Sequence, residues 1–70
     1  MQQTYTAVVK RDGTDWIGWI AEVPGVNCQE ATRTELLASL RTTLAEAIEL
    51  NRAEARGAAG GDYEELPVAV

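Results

Sequence analysis

Seventy residues make one small domain, and a chain of this length buries only about 60% of its unfolded surface on folding, so its stability alone is marginal. Six Lys and Arg stand against eleven Asp and Glu, giving a net charge of −5 and a pI near 4.4, a surface that repels phosphate backbones and makes nucleic acid a poor direct ligand. With no histidine, one cysteine, no secretory h-region and no apolar run of membrane-spanning length, the chain offers no disulfide framework, no zinc set and no membrane anchor; it reads as a cytoplasmic protein.

Residues 1–3 are polar and are expected to fray. Thr4 to Lys10 is rich in β-branched and aromatic types and predicts a first strand. Asp12-Gly13, flanked by Arg11 and Thr14, is a hairpin signal, with Gly13 free to take the positive φ that such turns require. A second, antiparallel strand follows from Trp16 to Val23. Pro24-Gly25 ends it, because Pro24 has no N–H for a ladder and Gly25 permits positive φ. Val26 to Gln29 alternates apolar and polar side chains and predicts a third strand around Val26 to Glu30, completing a meander.

Thr32 followed by Glu35 is a capping-box pattern and opens a helix from Arg33 to about Arg56. Leu36, Leu37, Leu40, Leu44, Ala47 and Ile48 recur every three or four residues, one stripe that should pack on the sheet, while Glu46, Glu49 and Glu54 belong to a solvated face. Gly57 and Gly60-Gly61 are expected to stop the helix and form a flexible Gly/Ala joint at 57–61. Residues 62–70 follow as a C-terminal strand or tail; a fourth strand from Leu66 or Val68 would be held to an edge or a strand start by Pro67. The layout is therefore α+β: a single domain over 1–70 of order β-β-β-α-β, an antiparallel sheet with one helix packed on one face.

The strands are apolar on both alternating sets of positions, and one helix covers only one face of a sheet. The other face argues for self-association as a homodimer or homotetramer. Trp16 and Trp19 lie three apart, so their side chains point to opposite faces, and the orientation of the sheet decides which joins the core. Trp16, Trp19, Ile20 and Glu22 are the candidate interface residues; Gly13, Pro24, Gly25, Thr32 and Glu35 are the structural turn and cap positions.

No residue is singled out for catalysis, for a cofactor or for a metal. A two-metal site needs several converging carboxylates, whereas Thr4 to Lys10 has none, Asp12 and Asp15 sit at the hairpin tip, and Glu22 is the one acid expected inside a strand. Cys28 has no histidine to activate it and reads as a buried structural thiol.

The run DGTDWIGWIAEVPGVNCQEATRTELLASLRTTLAEAIEL closely resembles the HicB-like antitoxin family, over about Tyr5 to Leu50 and most specifically over Trp19 to Gln29. It departs at Glu30, where the family usually has Gly, at Arg33, usually Leu, and at Leu36, usually Ala. The resemblance implies a trimmed relative of the ribonuclease H fold without its catalysis. It also implies binding to a small basic toxin of the HicA type, which cleaves messenger RNA using a histidine that the antitoxin covers. Family members often add a C-terminal DNA-binding module; the short apolar tail here leads us to expect toxin neutralisation without direct DNA binding. The competing expectations are an orphan HicB-like homo-oligomeric binding domain with no toxin and, third, a residual nuclease.

Overall fold

A computed structural model describes residues 4–69; the expected fraying of residues 1–3 and the last residue of the expected tail strand, Val70, lie outside them. Three strands, β1 (Ala7–Asp12), β2 (Asp15–Ile20) and β3 (Asn27–Glu30), form an antiparallel meander, and one helix, α1 (Arg33–Ala59), packs across it. The α+β class and the β-β-β-α order are those the sequence predicts. A fourth strand is not formed among the described residues: the chain from 62 to 69 has no regular partner.

Each boundary shift has a local cause. The hairpin turns on Gly13-Thr14, with Gly13 at φ 64°, so Asp12 and Asp15 face each other as the last pair of the ladder and not as turn residues. β2 stops at Ile20, three residues before the expected end, because the Ile20 amide donates to Val26 O at 3.1 Å while the Val23 amide donates back to Ile20 O at 3.3 Å. Ala21 to Gly25 thereby becomes a tight reversal, with Gly25 at φ 90°.

The Thr32 hydroxyl accepts from the Glu35 amide at 3.1 Å and caps α1 in extended geometry, while the Glu35 carboxylate accepts from that same hydroxyl at 3.0 Å. Thr32→Ala removes the acceptor and is expected to destabilise the domain by about 0.5–2 kcal/mol, measured by urea denaturation. At the other end the helix runs through Gly57, in contrast to the expected stop. The break comes at Gly60 (φ 77°), whose amide reaches Gly57 O at 3.3 Å. One glycine in an exposed helical turn costs only about 1 kcal/mol relative to Ala, less than the helix needs to terminate.

The core lies between α1 and one sheet face: Ile20, Val26, Leu36 and Leu40 are buried, with Tyr5, Val9, Trp16, Val23, Cys28, Leu44 and Ala47 packed around them. The buried stripe of α1 is rotated away from Leu37, which is 37% exposed, towards the half-buried Ser39 and Thr43. β3 explains the rotation. Ser39 donates to Glu30 Oε2 at 2.6 Å and Thr43 Oγ1 lies 3.5 Å from Cys28 Sγ, so two polar helix positions find partners at the sheet. Gly18, within β2, is buried beneath Leu36 of the helix. A Cβ there would meet Val8 O at 2.9 Å and Leu36 Cδ2 at 3.1 Å. Gly18→Ala is expected to cost about 1–3 kcal/mol in thermal or urea unfolding, since a backbone oxygen has to give way.

Candidate functional site

The ladder register sorts every strand residue onto one face or the other, because directly opposed residues in an antiparallel pair point the same way. Arg11↔Trp16, Val9↔Gly18 and Ala7↔Ile20 face the helix, as do Glu30 and Cys28 opposite Trp16 and Gly18. Lys10↔Ile17 and Val8↔Trp19 face away from it, continued by Asn27 opposite Trp19 and Gln29 opposite Ile17.

This placement divides the expected interface residues. Trp19 is on the open face and 40% exposed. Trp16 is on the helix side, half-buried against the core, with the Arg11 guanidinium 5.5 Å from its ring centroid. Ile20 is corrected from candidate interface to core: it is 5% exposed and has no free surface to present. Glu22 lies in the reversal after β2 and not inside a strand. Its carboxylate accepts from the Thr6 amide at 2.8 Å, and that backbone hydrogen bond holds its pKa below the usual carboxylate value. The acids that do occupy strand positions are Asp12, Asp15 and Glu30.

The open face therefore has an apolar centre of Val8, Ile17 and Trp19, with Lys10, Asn27 and Gln29 around it. Asp12 and Asp15 close its hairpin end, where the Gln29 amide nitrogen donates to Asp15 Oδ2 at 2.8 Å and fixes that carboxylate. At the opposite end Trp19 borders a shallow hollow formed with Val23, Pro24, Gly25 and Asn27. A surface of this kind binds by shape and burial: an aromatic anchor ringed by polar groups is the usual composition of a protein contact. Val8, Lys10, Ile17, Asn27 and Gln29 are the members that sequence reasoning missed. The hairpin at Gly13 carried the signal, since pairing Asp12 with Asp15 fixes Val8 opposite Trp19 four residue pairs further along.

Cys28 is half-buried on the helix side, touching Thr43. Among the described residues no three His, Cys, Asp or Glu side chains come together as a metal would require. No helix of the described residues is long and apolar enough to cross a membrane. Compared with known proteins, the chain has no significant match among family models, curated proteins or solved structures.

Proposed function

We propose that this chain is a HicB-like antitoxin: a non-enzymatic, homo-oligomeric cytoplasmic protein that neutralises a small, basic, messenger-RNA-cleaving toxin of the HicA type by direct binding. On this reading its sheet and helix are a trimmed version of the ribonuclease H fold. The observation that carries the proposal is a coincidence of sequence and place. Trp19 to Gln29, the part of the chain most like that family, builds the Trp19 side of the open face, the hollow beside it and β3. Its charge also suits the role: a net −5 attracts a basic partner over several ångströms before contact and disfavours RNA itself. The toxin would seat its histidine-bearing surface on Val8, Ile17 and Trp19, where neither nucleophile nor metal set is needed.

The test is a reconstitution. The protein is used as bait in lysate of its source organism, and the retained partner is purified and assayed for RNA cleavage with and without the bait. A short, basic, histidine-containing protein whose cleavage stops at stoichiometric bait supports the antitoxin reading. Recovery of the bait alone, as a defined oligomer, replaces it with the orphan HicB-like binding domain, and metal-dependent RNA cleavage by the bait itself would revive the nuclease.

A further inference from the structure

Among the described residues two segments lack a strand partner, and their sequences fit each other. The first is the outer edge of β1. Ala21 N donates to Thr6 O at 2.9 Å, so even-numbered residues of this strand turn their peptide groups towards β2. Ala7, Val9 and Arg11 consequently direct theirs outward, an edge open to another strand. The second is the C-terminal arm. Leu44 shares a hollow with Tyr5 and Ala7, at the start of β1, yet α1 continues to Ala59, roughly 22 Å further at about 1.5 Å per residue. From Glu49 onward every described residue is exposed, and the molecule is 51 Å long. Gly60 reverses the chain, and Arg56 holds the returning Glu65 through Nε and Nη2 at 2.9 and 3.0 Å. Beyond that point Leu66 is 74% and Val68 87% exposed.

We propose that residues 64–68 of the tail add as an antiparallel strand to β1 of a second copy, and that the second copy returns the same contact. Charge sets the direction. β1 reads apolar then basic, Ala7-Val8-Val9-Lys10-Arg11, and the tail reads acidic then apolar, Glu64-Glu65-Leu66-Pro67-Val68; only an antiparallel alignment places acid beside base. Pro67 sets the register. It has no N–H, so it must lie opposite a residue whose peptide groups face β2, either Val8 or Lys10. Opposite Lys10, it would bring Glu65 against Asp12. Opposite Val8, it aligns Glu64 with Arg11, Glu65 with Lys10, Leu66 with Val9 and Val68 with Ala7. Leu66 and Val68 then extend the helix-side face, where Val9 already packs against the core.

The occupant is a second copy because the chain's own tail arrives the wrong way round. Contacts from Glu30 to Ser39 and from Cys28 to Thr43 show α1 running antiparallel to β3, which itself runs parallel to β1. A tail that doubles back on α1 therefore runs parallel to its own β1. It is also too short: from Gly61 to Leu66 an extended chain spans about 17 Å, less than the overshoot of the helix. A twofold axis across the helices satisfies both exchanges at once. The Arg56–Glu65 pair is a weak hold, since both side chains are about half exposed, at 47% and 57%. This contact leaves Ile17 and Trp19 free and brings Pro67 and Glu65 only to the margin of the open face, beside Val8 and Lys10; it draws on the β1 edge and the tail, so its failure leaves the toxin reading standing.

The experiment combines sedimentation of the full chain with residue-resolved amide exchange at low and high protein concentration. The expected result is a dimer at high concentration in which the Ala7, Val9 and Arg11 amides slow by about tenfold or more. Glu64→Lys with Glu65→Lys, both on the exposed tail, is expected to return the chain to monomer and free those amides while its far-ultraviolet spectrum matches that of the parent chain at low concentration. Lys10→Glu with Arg11→Glu in the same chain is expected to restore both. A dimer whose three amides exchange freely, protection that persists in the monomer, or a dimer indifferent to the tail charges would each overturn the proposal.

Discussion

Leu40→Ala is expected to destabilise the domain by about 2–5 kcal/mol, the range for a buried Leu truncated to Ala. The side chain is 1% exposed and is one of four buried apolar side chains among the described residues, so little material is available to collapse into the space it leaves. Domains as a whole are stable by about 5–15 kcal/mol, and one of this length belongs near the lower end. The variant should therefore retain only about 0–3 kcal/mol, so that its urea midpoint moves well towards zero denaturant. Urea denaturation followed by circular dichroism measures it, and a loss below about 1 kcal/mol would mean that α1 does not bury Leu40 against the sheet. Leu37→Ala is the internal comparison, since Leu37 belongs to the same periodic run and is 37% exposed; its loss should be clearly smaller.

That contrast shows how far the residues alone disclose the fold. The hairpin, the Pro24-Gly25 reversal, the Thr32 cap and the helix could be read because each depends on chemistry within a few residues: a glycine at positive φ, a missing N–H, a hydroxyl facing an amide. The rotation of the buried stripe was not legible in the same way. A run of leucines every three or four residues defines a stripe but not its centre, and Ser39 and Thr43 turn inward only because Glu30 and Cys28 wait across the interface. The fate of the tail was misread for a related reason. Leu66 and Val68 have the composition of a strand, but a strand needs an edge within reach, and the passage of α1 through Gly57 carries the tail away from its own sheet. Of the candidate interface, Trp19 could be paired with Val8 by counting from Gly13, whereas the burial of Ile20 required knowing which face the helix covers.

Trp19→Ala is expected to weaken partner binding by about 2–4 kcal/mol, roughly 30- to 1,000-fold, while changing stability by no more than about 1 kcal/mol. The asymmetry follows from its position. In the free chain Trp19 touches the sheet along one flank and water along the other, so truncation gives up a cross-strand contact with Val8 and little of the core. In a complex the same ring becomes the largest apolar group at the centre of the open face, and burying it removes most of its remaining exposed surface from water. Trp16→Ala should behave in the opposite sense, because that ring packs against the buried cluster beneath Arg11: stability falls, and binding weakens only in proportion to the unfolded fraction. Titration of the purified partner into each variant, with unfolding curves recorded on the same samples, separates the two. Equal losses of binding in both variants, once corrected for folding, would place the contact elsewhere on the molecule. A partner that tolerates Trp19→Ala but not Asp15→Lys would be one recognised by the charged hairpin end of the face and not by its apolar centre.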